Sequence, residues 1–287
     1  MGGVLTAPPA EGEREYACTE RDYAYFRELT LAHTGIRLAP AKRQMIYSRL
    51  ARRVRRLGLP DLSAYADRLR AGDAEELKAF VNAMTTNLTS WFRESHHFEH
   101  LGREVLPALL AEAREPRRLR LWSCAASTGE EPYSMAMVLG EALRGHPGWD
   151  ARILATDIDS DVLAHARAGV YEAQRVAAVP RQLAGGAFRR GRGAHEGRVR
   201  VRREVAELVA FRQLNLLGPW PMRGPFDVVF CRNVVIYFDK DTQRRLFDRI
   251  ADLMAPDGWL YLGHSESLFR VCDRFEALGR TIYRRLR

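Results

Sequence analysis

The sequence predicts an α/β protein in two parts: a small all-helical domain, then a domain built on a parallel sheet with helices on both faces. Three observations carry this prediction. From about residue 118 onward, short apolar runs alternate with stretches of helical spacing, the texture of strands joined by crossover helices. Ahead of that, residues 16–84 hold few glycines and no period-two alternation, and their apolar residues recur at helical spacing. Within the second part, Gly191, Gly193 and Gly197 followed by the alternating Arg198-Val-Arg-Val-Arg202 interrupt the strand–helix rhythm. That interruption reads as a small antiparallel insert.

In the helical part, Ile46, Leu50, Val54 and Leu57 form an apolar stripe, and Gly58 and Pro60 end the helix. Arg49, Arg52, Arg53 and Arg56 lie at i, i+3, i+4 and i+7, so they share a different face. The bland alternative is a solvated charged face on a helical bundle. Strands are expected at 119–123, 152–156, 226–231 and 259–262, with a turn at Pro256-Asp257-Gly258. Helices are expected from Pro132, through 162–168, and over 242–253. Residues 208–214 look like a further strand of the insert. Ligands of such sheets sit beyond the carboxyl ends of the strands.

Composition narrows the class. Of 287 residues, 46% are hydrophobic and 28% charged, as in ordinary globular chains. No apolar run approaches the length of a membrane span, and the first residues lack the pattern of a secretion signal, so a cytoplasmic protein without membrane insertion is expected. Cys18, Cys124, Cys231 and Cys272 are widely spaced and form no CxxC pair, which fits reduced thiols and no zinc site. The net charge is +9, and residues 37–70 hold ten Lys/Arg against two Asp/Glu. That local basic surface faces something acidic: nucleic acid, an anionic membrane or an acidic protein.

The turn Ser123-Cys-Ala-Ala-Ser-Thr-Gly-Glu-Glu-Pro132 follows the first strand and opens a helix, the place of a nucleotide-binding loop. It has neither the glycines of a dinucleotide fingerprint nor the Gly-Lys-Ser/Thr of a P-loop. Glu130 and Glu131 would repel phosphate and suit a cationic group such as an amino-acid ammonium, unless they only complement the helix dipole. Asp157, after the second strand, can accept hydrogen bonds from both ribose hydroxyls, or can cap the next helix. Together the two features describe a nucleoside without phosphates that carries an amino acid, and S-adenosylmethionine is such a molecule. His96, His97 and His100 lie close together, but no carboxylate or cysteine completes a metal set, so no metal is expected.

The chain resembles the chemotaxis-receptor glutamate O-methyltransferases (CheR type) over nearly everything from Tyr23 to Tyr283. The residues that carry the resemblance are Thr85-Thr-Asn-Leu-Thr-Ser-Trp-Phe-Arg-Glu94, Ala125-Ala-Ser-Thr-Gly-Glu-Glu-Pro-Tyr-Ser134, Thr156-Asp-Ile-Asp159, Asn215-Leu-Leu217, Phe230-Cys-Arg-Asn-Val-Val-Ile-Tyr-Phe-Asp239 and Gly263-His-Ser-Glu266. Trp91 stands where a smaller aromatic is common. The resemblance implies a Rossmann-like class I methyltransferase domain behind an all-helical one. The expected division is a disordered tail at 1–15, a helical domain with the basic helix at 16–90, and a cofactor domain at 91–287 with a β-insert at about 188–214.

The resemblance also implies roles. Asn87, Thr89 and Arg93 line the cofactor pocket, Glu131 rather than Glu130 binds the methionine end, Asp157 holds the ribose, and Asn215 and Leu216 face the adenine. Arg232, Asn233 and Tyr237 flank the reactive methyl group, with Arg93 and Tyr237 as the catalytic pair. The product is S-adenosylhomocysteine. The expected partner is the helical bundle of a chemoreceptor, docked on Arg49, Arg52, Arg53 and Arg56, with a receptor C-terminal peptide adding a strand to the inserted sheet in some relatives. A nucleic-acid methyltransferase is the rival enzyme, but Asn233 is not followed by the proline pair common in base methylation, and the basic stretch lacks interleaved aromatics. A non-catalytic adaptor on the same fold is the rival from another class, and the intact ligand set argues against it.

Overall fold

The computed structural model describes residues 15–112 and 115–286. The chain divides into two units, Met1–Thr85 and Thr86–Arg287. The division falls after Thr85 rather than after residue 90. The reason is local: the first unit's last helix ends at Met84, and the extended segment after it is hydrogen-bonded within the second unit, through Asn87. The expected tail at 1–15 lies, Glu15 apart, outside the described residues.

Among the described residues the first unit holds four α-helices and a short 3-10 turn at Pro40–Lys42. Helix α1 (Glu20–Thr34) starts with a capping box between Thr19 and Asp22 and stops at Gly35, φ 71°. Helix α2 (Arg43–Leu57) ends at Gly58, whose φ of 64° closes the last turn. Asp61 and Asp73 cap α3 (Leu62–Arg70) and α4 (Ala74–Met84). Phe26, Leu50, Val54, Leu62, Tyr65 and Phe80 fill the core between them.

The basic face of α2 is only partly a surface. Arg49 Nη1 donates to the carbonyls of Met84 and Thr85, both at 2.7 Å, and so satisfies the end of α4. Arg53 forms a two-pronged pair with Glu76 at 2.8 and 2.6 Å, and Tyr65 Oη donates to the same carboxylate at 2.8 Å. Arg52 and Arg56 are exposed. The shared face of four arginines therefore presents two of them to solvent, because the other two hold α2 to α4.

The second unit opens with α5 (Ser95–His100), a π-helical turn at Leu101–Val105, and α6 (Leu106–Ala111). Then come β1 (Arg118–Ser123), α7 (Glu130–Leu143), β2 (Asp150–Asp157) and α8 (Ser160–Ala168). Next are β3 (Val170–Glu172), α9 (Arg181–Ala187), β4 (Phe188–Arg190), β5 (Arg198–Val201), α10 (Arg203–Ala206) and β6 (Val209–Gln213). The chain ends with β7 (Phe226–Cys231), α11 (Lys240–Leu253), β8 (Met254–Leu262), β9 (Phe275–Gly279) and β10 (Ile282–Arg285).

Seven strands pair in the order β6-β2-β1-β7-β8-β10-β9 among the described residues. The first five run parallel, and β10 is antiparallel to both its neighbours. From β1 the chain steps outward to β2 and β6, then crosses to β7 and β8 on the other side. Adjacent strands β1 and β7 thus lead their following helices apart, and a crevice opens at their carboxyl ends. All six residues of β7 are buried, as a central strand covered on both faces requires.

Three expectations change. Residues 209–213 pair in parallel with β2 as an edge strand of the main sheet, and do not belong to the insert. The insert is β3-β5-β4, starts earlier at Val170, and has Arg198–Val201 as its middle strand, so its open edges are β3 and β4. The turn expected at 256–258 is absorbed into β8, with Asp257 at φ 61° and a register shift opposite 226–228. A bulge bends that strand without ending it.

Candidate functional site

Four segments meet where the sheet changes direction. The first is the loop after β1. Ser127 sits at φ 48° and Gly129 at φ 99°. A Cβ on Gly129 would lie 2.7 Å from Tyr171 Oη and 2.9 Å from Ala166 Cβ, so only glycine lets the loop pack this closely on α8 and β3. Ser127 N–H donates to Asp157 Oδ2 at 2.8 Å, and Ser127 Oγ donates to the Asn87 carbonyl at 3.0 Å.

Asp157 closes β2 and is buried. Its Oδ1 accepts Asp159 N–H at 2.9 Å. The Ile158 N–H also bonds this carboxylate, and the acceptor capacity that remains faces the site. Burial pushes its carboxyl up to about 6, against the downward pull of those N–H groups. Asp159 caps α8 with Oδ1 and takes the Asn87 amide on Oδ2 at 2.7 Å. Asn87 thereby fastens the second segment, residues 86–94, to both loops. Thr89 is half-buried there, and Arg93 folds back so that Nη1 donates to the Leu88 carbonyl at 3.0 Å. Trp91 is buried against Tyr171 and Phe188 at 5.0 and 5.2 Å between ring centres, which accounts for its size.

The two acids that open α7 separate in role. Glu130 is fully buried and binds Arg175 at 2.8 Å and Thr128 Oγ1 at 2.6 Å, a structural commitment. Glu131 Oε1 accepts from Ser123 Oγ at 2.8 Å, and Oε2 lies 3.0 Å from Arg232 Nη1. Burial pushes the Glu131 carboxyl above its usual range despite Arg232. Arg232, just beyond β7, is buried rather than open to a ligand. Its Nη2 lies 3.2 Å from Glu94 Oε2 and donates to the Arg93 carbonyl, and its guanidinium stands over Phe98 and Phe230.

Glu94 was not singled out by sequence reasoning. Its φ is 58°, and its Oε1 takes His264 Nδ1 at 2.8 Å and His264 N–H at 3.2 Å. Burial pushes its carboxyl up, but the His264 hydrogen bond and the Arg232 charge outweigh that and hold it at about 2. Glu266 was missed too. It is buried, and it accepts the main-chain N–H groups of Asn233, Val234, Val235, Ile236 and Gly263. Both lie inside the motifs that carry the family resemblance, and that place is the one signal the sequence offers for them. Asn233 has φ 57°, and Tyr237 ends the short turn Val235–Tyr237, half-buried. Phe92, Glu94, Ser127 and Asn233 are all left-handed non-glycine residues in these segments. Such strain collects at sites where the surroundings over-determine the backbone.

Across the crevice, Asn215 Oδ1 caps Leu217 N–H at 2.9 Å. The Leu216 side chain is buried in the core, and its carbonyl accepts from Arg249 and Trp220. His97 is buried with Nε2 3.0 Å from the Arg280 carbonyl, and burial lowers its pKa to about 4. Among the described residues no group of three or more His, Cys, Asp or Glu is arranged to hold a metal. No helix among them is long and apolar enough to cross a membrane.

The donor set fits an amino-acid nucleoside and not a dinucleotide: carboxylates, not open N–H groups, crowd the start of α7, and a buried acid ends β2. Residues 87–284 match the family described as CheR methyltransferase, SAM binding domain, and residues 21–85 match CheR methyltransferase, all-alpha domain. The chain belongs to the CheR methyltransferase family. It is 44% identical over 279 residues to chemotaxis protein methyltransferase 2 of Pseudomonas aeruginosa, covering 97% of this chain and 98% of that protein. It is 46% identical over 267 residues to the chemotaxis protein methyltransferases of Salmonella typhimurium and Escherichia coli, covering 91% of this chain and 89% and 90% of theirs. As a CheR-family protein it is an S-adenosylmethionine-dependent methyltransferase.

Proposed function

We propose that this protein transfers the methyl group of S-adenosylmethionine to glutamate side chains on the cytoplasmic helical bundle of a chemoreceptor, in the cytoplasm. The observation that carries the reading is the pairing of a buried Asp157 with the Glu131–Arg232 couple at the carboxyl ends of β2, β1 and β7. The names of the 44–46% identical relatives, chemotaxis protein methyltransferases, support the receptor as substrate.

When bound, the cofactor supplies a sulfonium methyl group. A receptor glutamate oxygen would accept that methyl group, giving a carboxyl ester and leaving S-adenosylhomocysteine. The attacking carboxylate is already ionised at neutral pH, so no residue must move a proton. The chain's task is alignment and exclusion of water. Asp157 accepts the ribose hydroxyls with the acceptor capacity its N–H partners leave. Glu131 receives the ammonium, with Glu130 held away by Arg175. Asn215 and Leu216 flank the adenine, and Asn87 and Thr89 close the pocket from the linking segment. Asn233 and Tyr237 border the methyl path. Arg93 swings from the Leu88 carbonyl to orient the incoming carboxylate. Arg232 acts from behind by fixing Glu131.

The receptor's acidic helices dock on Arg52 and Arg56. A receptor C-terminal peptide, where one exists, adds to the β3 or β4 edge of the insert. The test is transfer from radiolabelled cofactor to receptor cytoplasmic fragments, then mild base. Release of label as methanol is expected from a carboxyl ester. Base-stable label, or label on RNA only, overturns the reading. Arg93→Ala should lose most turnover while remaining folded.

A further inference from the structure

The carboxylate of Glu266 is buried, its five hydrogen bonds all come from main-chain N–H groups, and among the described residues no cation pairs with it. Oε1 takes Val234 and Val235 at 2.9 Å and Ile236 at 3.4 Å, and Oε2 takes Asn233 at 2.8 Å and Gly263 at 2.7 Å. Four of these amides are consecutive. A run of N–H groups converging on one point is a nest for an anion, and the anion here is the protein's own. A buried carboxylate without a cation is tolerated only when its hydrogen bonds favour the charged form.

The same loop is tight from the other side. A Cβ on Gly263 would lie 2.3 Å from Asn233 Nδ2, 2.9 Å from Asn233 N and 2.9 Å from Glu266 Oε2. Asn233 is itself left-handed at φ 57°. Two independent constraints therefore hold the strand-end residue Asn233, one by attraction and one by close packing. The loop they hold runs from Arg232, which pairs with Glu131, to Tyr237.

We infer that Glu266 is a positioning residue for methyl transfer: it sets the loop that carries Asn233 and Tyr237, and so aligns the acceptor against the methyl group. The inference rests on the function proposed above. It goes beyond it by assigning a role to an acid that the proposed function leaves unused. A displacement of about 1 Å at such a loop costs on the order of a hundredfold in rate.

Glu266→Gln keeps the size but turns a donor toward amides that need acceptors. Its kcat on receptor fragments should fall roughly a hundredfold, with the Kd for S-adenosylhomocysteine changed less than about threefold, since Asp157 and Glu131 are untouched. Ile250→Ala, a core change in α11, serves as the control for lost stability, assayed like the others well below its melting temperature, and should keep its turnover. Gly263→Ala is the second variant. It keeps the Glu266 side chain but crowds both Asn233 and Glu266 Oε2 with the added methyl group, and should show the same split. Amide and Asn233 side-chain resonances, read by NMR without acceptor, should move at Tyr237 and Asn233 in both variants. The inference is overturned if Glu266→Gln loses no more kcat than the control, if the loss lies in Kd alone, or if the Tyr237 and Asn233 resonances stay in place. Failure of the proposed function is separate: it shows in the wild-type arm as the absence of base-labile label, and the resonances still decide the inference.

Discussion

Arg232 Nη1 lies 3.0 Å from Glu131 Oε2, and the same guanidinium lies 3.2 Å from Glu94. One buried cation thus serves two acids from different segments, one opening α7 and one preceding α5. Removing a single partner from a buried ion pair costs about 3–5 kcal/mol, because the other charge is stranded. Arg232→Met should therefore lower the melting temperature by on the order of 10 °C and abolish binding of S-adenosylhomocysteine. Glu131→Gln should unfold less readily, since Arg232 keeps Glu94 and the Arg93 carbonyl, yet weaken binding at least tenfold. Differential scanning fluorimetry with and without ligand reads both. A stable, ligand-binding Arg232→Met protein would show that the couple holds nothing together.

A second prediction follows from Asp157, whose carboxyl is pushed up to about 6 by burial. Ribose hydroxyls donate to the ionised form, so ligand binding and protonation compete. Affinity for S-adenosylhomocysteine should be constant above pH 7 and weaken as pH falls through about 6, approaching tenfold per unit. Asp157→Ala should bind weakly at every pH and lose this dependence. Calorimetric titration from pH 5 to 8 decides it; a wild-type affinity flat across that range excludes Asp157 as the acceptor.

Strand β7 was legible as a buried apolar run, β1 and β2 as short apolar stretches that end at a loop or an acid, and α7 and α8 from the helical spacing that follows. The edge strand β6 was misplaced because only Phe211 of its five residues is buried and it follows the insert directly along the chain, so its own sequence does not say which sheet it joins. The three-residue strands β3 and β4 carry too little pattern for any period to register. Asp157 and Glu131 were legible from their places after a strand and at a helix start. Glu94 and Glu266 were not, since their meaning lies in partners 30 to 170 residues away. The same blindness hid the pairing of Arg53 with Glu76.

That pairing sets the third prediction. Arg53 and Glu76 are both largely buried, and Arg52 and Arg56 are exposed. Arg53→Glu should destabilise the helical unit by about 3 kcal/mol or more by facing two acids together. Arg52→Glu with Arg56→Glu should leave the melting temperature within about a degree, because exposed charges contribute little to folding. The double variant should instead raise KM for receptor fragments and flatten its dependence on salt, with cofactor affinity unchanged. Initial rates at two ionic strengths test this. An unaltered KM and salt response would make the basic face a solvated surface only.

The last prediction concerns acid stability. Burial lowers the His97 pKa to about 4, helped by the nearby Arg232 charge, while the Arg280 carbonyl and Glu94 pull the other way. The folded state therefore refuses a proton that the unfolded chain takes at about 6.5. Above pH 6.5 both states are neutral and nothing is lost. As pH falls from 6.5 toward 4, the unfolded state gains the proton first, and stability drops. At pH 5 the loss from this residue is roughly 2 kcal/mol. Glu94 adds to it only lower down: its carboxyl is held at about 2, so its contribution is full above about 4.5 and fades below. Asp157 works in the opposite sense between about 6 and 4, where the folded state binds the proton first and is stabilised by acid. The quantity to compare is thus the difference between wild type and His97→Gln, whose amide can still donate to the Arg280 carbonyl. That difference should favour the variant by several degrees more at pH 5 than at pH 7.5. Thermal unfolding at the two pH values measures it. Parallel curves would show that His97 takes its proton as readily in the folded protein as in the unfolded chain.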